Sequence, residues 1–182
     1  MTNQLEHDYH QLTNGAGYTR LANHGLIRLT GEDRLSFFHN FCTNEIKKLE
    51  TGQACETFIL NSKGKILNFV HAINMHDELF LYGHGTNVQP TVDHLDKFLI
   101  REDVTLEDTT ANWAGLFVSG KKSVDCLSQL TDTLPRENEF HQVQLQNHKV
   151  LIGNLEIAGF GYLILAPKTE LSSIEVALNE AA

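Results

Sequence analysis

ACETFILNSKGKILNFVHAINMHDELFLY, residues Ala54–Tyr82, is the stretch that decides the fold. Three apolar runs, 54–60, 65–75 and 79–82, are separated by Asn61-Ser62-Lys63-Gly64 and by Met75-His76-Asp77-Glu78. Both separators carry turn chemistry, because Asn and Asp side chains bond nearby backbone and Gly64 is free to take positive φ. The pattern predicts three antiparallel strands joined by two hairpins.

Working outward, Leu26-Ile27-Arg28-Leu29 reads as a strand, and Thr30-Gly31-Glu32-Asp33 opens a helix with acids at its positive dipole end. Leu35, Phe38, Phe41 and Cys42 recur at helical spacing. Pro90 opens a second helix, with Val92, Leu95, Phe98 and Leu99 as its stripe, and Val104–Leu106 returns as a strand. The same grammar then repeats. Strand 113–118, helix 121–134 ended at Pro135, strands 140–145, 149–155 and 160–166, and helix 171–178 follow one another. Strand, helix, several strands, helix, twice over, predicts an α+β chain of two ferredoxin-like subdomains with antiparallel sheets. The boundaries expected are a mobile polar N-terminal arm over 1–22, a first subdomain over 23–111 and a second over 112–182.

Composition limits the function classes. At 182 residues the chain can bury a core without staples. A net charge of −9 disfavours binding that works by neutralising a nucleic-acid backbone. No apolar run approaches the ~18 residues of a membrane span, and the polar, acidic start has no signal-peptide order. A cytoplasmic protein is the expectation. Cys42, Cys55 and Cys126 are odd in number and lack CxxC spacing, which argues against disulfides and an all-cysteine zinc site. Ten histidines are dispersed, with His7, Asp8 and His10 as the one tight cluster. Gly115–Lys122 has the glycine and lysine spacing of a phosphate-binding loop, but Lys122 stands where magnesium binding needs Ser or Thr.

Three features carry candidate chemistry. Strict alternation puts Ile66, Asn68, Val70 and Ala72 on one strand face, so a carboxamide sits among apolar neighbours. It either satisfies nearby backbone or faces a cavity and binds a polar ligand; a cavity is the expectation. Lys63 and Lys65 flank Gly64 at a hairpin tip, either as a solvated turn or as a holder of carboxylate or phosphate. Phe38–Glu45 is an apolar helix ending in hydrogen-bonding side chains, Asn44 among them.

Together these stretches resemble the folate-binding domain of the aminomethyltransferase (glycine cleavage T-protein) superfamily. The similarity rests on Gly25–Phe38, on Thr43-Asn44-Glu45-Ile46, on the hairpin Phe58–Leu67, on His94–Val104 and on Trp113–Gly120. The resemblance implies tetrahydrofolate or a derivative as cofactor. The residues it would engage are Asn68, Asn44, Lys63, Lys65 and Arg101, with walls from Phe58, Leu60 and Val70. Aminomethyltransferases carry two consecutive aspartates where Asn68 and Phe69 stand, and a carboxamide cannot exchange protons near neutral pH. The resemblance thus implies a non-catalytic folate binder, similar to the branch that supports iron–sulfur cluster assembly or repair. An aminomethyltransferase and a folate-free interaction module are the alternatives. It also implies that the family's C-terminal domain is lacking, hence weak folate binding. An apolar surface would then be left for a protein partner or a second copy.

Overall fold

A computed structural model describes Glu6, Tyr9, residues 13–155 and residues 160–181. The chain divides into two units, Asn23–Asn112 and Met1–Ala22 with Trp113–Ala182. Each is built on a five-stranded sheet in which every pairing between strands is antiparallel.

In the 23–112 unit the elements run β2 (His24–Thr30), α1 (Arg34–His39), β3 (Ala54–Leu60), β4 (Ile66–Asn74), β5 (Glu78–His84), α2 (Val88–Asp96) and β6 (Thr105–Asp108). The sheet order is β3-β4-β5-β2-β6. Alternation gives one face Ile27, Leu29, Ile59, Val70, Ala72, Leu79 and Leu81, which pack with Phe37 and Phe38 of α1 and Val88 and Leu95 of α2 into one core. The other unit holds β1 (Gly17–Arg20), β7 (Trp113–Ser119), α3 (Ser123–Ser128), β8 (Phe140–Leu145), β9 (His148–Asn154), β10 (Gly161–Pro167) and α4 (Leu171–Ala181). Its order is β1-β7-β10-β9-β8, and Ile174 and Leu178 of α4 close a largely aliphatic core over Leu116, Val118, Ile152 and Ile164.

The hairpin at 61–65 forms as its residues dictate. Asn61 Oδ1 accepts the backbone N–H groups of Lys63 (2.9 Å) and Lys65 (3.0 Å), and Gly64 takes φ +73°. A side chain there would meet no neighbour, so glycine is required by conformation and not by space.

Three expectations are corrected. Residues 17–20 are a strand, not a mobile arm: β1 pairs with β7 from Gly17↔Ser119 to Arg20↔Leu116. An Arg20–Glu175 ion pair and a 3.1 Å bond from Asn179 Nδ2 to the Tyr18 hydroxyl fasten it to α4. Four residues are too few to show a period, and the pairing partner lies far along the chain. The helix expected over 121–134 ends at Ser128, before Thr131-Asp132-Thr133, a run of poor helix formers. The helix expected through Cys42 ends at His39; Cys42 instead makes an extended bridge to Ile59.

Candidate functional site

The residues named from sequence do not converge on one wall. Asn68 faces the core and not a cavity. It is 3% exposed, its Nδ2 donates to Thr91 Oγ1 at 3.1 Å, and its Oδ1 accepts from Asn87 Nδ2 at 3.4 Å. Thr91 in turn donates to the Asn87 carbonyl at 2.6 Å, so α2 and the turn before it enclose the carboxamide. Gly83 across the sheet supplies the room, since a Cβ there would lie 2.9 Å from Val70 Cγ1 and 3.5 Å from Asn68 Oδ1. Val70 is buried on the same core face. Ile66, expected beside them, is 60% exposed, because the β3–β4 register shifts between Ile59 and Leu60 at the hairpin end.

Asn44 is exposed, with both ends of its amide engaged: Nδ2 donates to the Glu56 carbonyl (3.0 Å) and Oδ1 accepts from Glu45 N–H (2.8 Å). Lys63 and Lys65 project at the hairpin tip, with no ion pair for their ammonium groups among the described residues. Arg101 is exposed in the loop after α2. Leu60 lines a cleft of about 270 Å³ with Asn40, Phe41, Cys42, Asn61, Ser62, His94 and Phe98. Phe58 lies on the opposite sheet face from Val70.

That opposite face joins Phe58, named from sequence, with residues that were not. Phe58 and Phe69, each 41% exposed, are cross-strand partners with ring centroids 5.2 Å apart. A row of rings continues through His71 (5.7 Å from Phe69) and Tyr82 (6.2 Å from His71) to His24 (6.4 Å from Tyr82). Glu56 is paired with His71, its carboxylate 3.9 Å from Nδ1. His71 is 7% exposed and its Nδ1 has no hydrogen-bond partner. Burial lowers the His71 pKa and Glu56 partly restores it, so the imidazole is neutral at pH 7. Burial also raises Tyr82. Alternation alone places Phe69 and His71 on the face away from Asn68; that Phe58 and Glu56 stand opposite them follows only from the observed register.

The thiols are not poised for chemistry. Burial raises Cys42 and pushes Cys55 up to about 11, so both stay protonated at pH 7. The His7-Asp8-His10 cluster lies outside the described residues. Among the described residues no group of three or more His, Cys, Asp or Glu is placed to hold a metal. No helix among them is long and apolar enough to cross a membrane.

Known proteins resemble both the sequence and the fold. An aminomethyltransferase of Lysinibacillus sphaericus is 26% identical over 159 residues, 85% of this chain and 43% of the relative. The chain spans less than half the length of this and other aminomethyltransferases it matches. The glycine cleavage system aminomethyltransferase T of Bartonella henselae superposes with a TM-score of 0.80 at 16% identity, covering 94% of this chain and 47% of that one. A chain of the heterotetrameric sarcosine oxidase of Corynebacterium sp. U-96 superposes with a TM-score of 0.66 at 14% identity, covering 98% and 91%. The α+β arrangement of two antiparallel-sheet subdomains is thus that of the aminomethyltransferase N-terminal domain. These comparisons support the superfamily and not, within it, an iron–sulfur branch. The family model of the GCVT N-terminal domain matches residues 1–163, and the chain belongs to that family.

Proposed function

We propose that this chain is the folate-binding part of an aminomethyltransferase-type enzyme of one-carbon metabolism, and that it takes tetrahydrofolate at the exposed β3–β4 edge of its first sheet, where Phe58 and Phe69 lie. The observation that carries this is the exposed Phe58–Phe69 pair beside Glu56 and His71, on a domain of this family. A pterin is flat and carries amino and ring N–H donors. Stacking on two rings and a carboxylate acceptor are what it needs, and Glu56, whose side chain is 55% exposed, is the carboxylate beside the ring pair, while Glu78 and Glu107 on the same face are paired with Arg28. Bound tetrahydrofolate supplies the nitrogen that accepts a one-carbon unit. The chain's own residues stack, orient and hydrogen-bond it. Lys63 and Lys65 offer cations for the anionic tail. The sarcosine oxidase chain that shares this fold works within a heterotetramer, and by analogy a partner chain or further domain completes the site here.

One observation favours a second reading, a folate binder that supports iron–sulfur cluster assembly or repair without transferring aminomethyl groups. Neither Asn68 nor Phe69 can take or give a proton, and Asn68 is enclosed. Calorimetric titration with tetrahydrofolate, followed by an assay for aminomethyl transfer to it with the completing partner chain or domain present in both, tests both. Binding with turnover supports the first reading, and binding without turnover the second. No binding overturns both and leaves a folate-free interaction module.

A further inference from the structure

We propose that the free edge of β8 binds a second copy of this chain, its own β8 pairing antiparallel so that two five-stranded sheets become one. A sheet edge offers a row of unpaired N–H and C=O groups, and folded chains blunt it with short strands, charges, bulges or a covering segment. Three of the four edges here are blunted. β1 and β6 are four residues each, and they end in Arg20 and in Glu107-Asp108. β3 is covered by the chain after α1: Leu60 N–H donates to the Phe41 carbonyl at 2.9 Å and Thr43 N–H to the Phe58 carbonyl at 3.1 Å. β8 has none of these devices. It is six residues long and runs in register with β9 from Phe140↔Gly153 to Leu145↔His148 without a bulge. Residues 140–148 hold no lysine, arginine, aspartate, glutamate or proline, in a chain of net charge −9.

Hydrogen-bond parity decides which groups are free. Asn154 N–H donates to the Glu139 carbonyl at 3.2 Å, so the pairs two and four residues on, His141↔Ile152 and Val143↔Val150, are those bonded to β9. The main-chain groups of Gln142 and Gln144 therefore point out of the sheet, and none has another partner among the described residues. The groove of about 460 Å³ between residues 128–133 and 142–146 lies along that edge. Pairing stops short of the turn, because Gln146 N–H already donates to the Leu130 carbonyl at 3.3 Å. What remains is self-complementary. A two-fold axis at Val143 sets Gln142 against Gln144 of the partner subunit, and such a pair exchanges both N–H···O bonds. Gln142 and Gln144 have exposed side chains on one face, so the glutamines also meet across the junction. A carboxamide donates and accepts, so it pairs with its like where two lysines or two glutamates would repel. That property selects a copy of the same edge over a charged segment of another protein.

Sedimentation velocity of the full chain from about 10 μM to 1 mM, with NMR amide exchange as the site-specific readout, tests this. A weak, reversible monomer–dimer equilibrium is expected, with exchange at Gln142 and Gln144 slowing as concentration rises. In the double variant Gln142→Lys with Gln144→Lys, like charges oppose and association should weaken about tenfold. In Gln142→Lys with Gln144→Glu, each lysine meets a glutamate and association should return to at least the original strength. Both positions are exposed, so both variants should fold, as circular dichroism will check. A monomer at every concentration overturns the proposal. Fast exchange throughout would then leave the edge to an extended segment of another protein, and slow exchange throughout would show it covered within one copy. A dimer that both variants leave unchanged, or a lysine–glutamate variant no tighter than the lysine–lysine one, overturns it as well.

Discussion

The two units share a plan, five antiparallel strands with helices on one face, but they differ in what they bury. In Asn23–Asn112 the described interior holds Thr57, Asn68, His71, Asn74, Thr91 and Thr109; in the other unit it holds only Ser123 and Asn154. Buried polar groups destabilise unless bonded, and most of these are bonded. Asn68 joins Thr91 and Asn87, Asn74 Nδ2 reaches the Leu49 carbonyl at 2.8 Å, and Thr109 Oγ1 reaches the Leu26 carbonyl at 3.0 Å. The first unit also carries the row of rings and the ring-lined cleft. The second has instead an open groove of about 460 Å³ walled by glutamines and threonines at 128–133 and 142–146. Same architecture, different interior: the second unit is built as a scaffold, and the first keeps polar and aromatic groups that packing alone does not require.

Removing a core ring should break that contrast most. Phe38 is fully buried in the ring-rich core, so Phe38→Ala should cost about 3–5 kcal/mol. Ile164→Ala, its aliphatic counterpart in the second unit, should fall at the lower end of about 2–5 kcal/mol. Urea denaturation followed by far-UV circular dichroism and by the single tryptophan, Trp113, checks both. Equal losses would show that the cores are energetically alike despite their composition.

The polar network makes the next largest effect. In Asn68→Asp an ionised carboxylate would face the Thr91 hydroxyl oxygen, whose proton already goes to the Asn87 carbonyl. Two acceptors would oppose each other at a cost of about 1–3 kcal/mol. A protonated aspartate can instead donate as the amide did. The variant's carboxyl pKa is therefore raised, and its stability should improve as pH falls towards 5, opposite to an ordinary surface aspartate. It should gain no transfer activity, because the group is walled in. Phe69→Asp would put a carboxylate at the exposed Phe58–Phe69 edge at smaller cost.

A close contact in the second unit ranks third. Phe140 lies over Gly153, and a Cβ there would sit 2.2 Å from the ring. Gly153→Ala should cost about 1–3 kcal/mol by overpacking, and Phe140→Leu in the same chain should recover part of it. Full additivity of the two substitutions would show that the ring moves aside freely.

Most of the fold was legible because hairpins are local. The strand 54–60 and its turn follow from alternation and from Asn61 and Gly64. Residues 17–20 were not legible, because their strand exists only through pairing with 116–119, a contact no local pattern announces. The sequence named residues of both faces, Phe58 on one and Asn68 and Val70 on the other, without the pairing that separates them. Asn68 drew notice as a polar residue in an apolar run, yet polarity in such a run marks a buried hydrogen bond as readily as a ligand. The residue beside it, Phe69, is unremarkable as a letter. It becomes notable only when the register sets it against Phe58, and the bulge after Ile59 hides that register from simple counting.

The smallest expected effect belongs to His71 and separates a polar group the first unit merely tolerates from one it uses. Burial lowers its pKa from the ordinary 6.5, while the unfolded chain keeps that value. Above pH 6.5 neither state holds the proton, so His71 contributes no pH dependence. Below it the unfolded state takes up a proton that the folded state refuses, and stability falls until the folded pKa is passed. The slope cannot exceed one proton, about 1.4 kcal/mol per pH unit. Glu56, 3.9 Å away, works against the shift. His71→Phe, which keeps the row of rings, should flatten the decline between pH 7 and 5.5, measured as the difference in urea midpoint between the two proteins. The nine other histidines, present in both, cancel. If tetrahydrofolate is then added and the wild-type decline grows, the ligand prefers the neutral ring. If the decline is unchanged, His71 is packing and the exposed edge binds through Phe58, Phe69 and Glu56 alone.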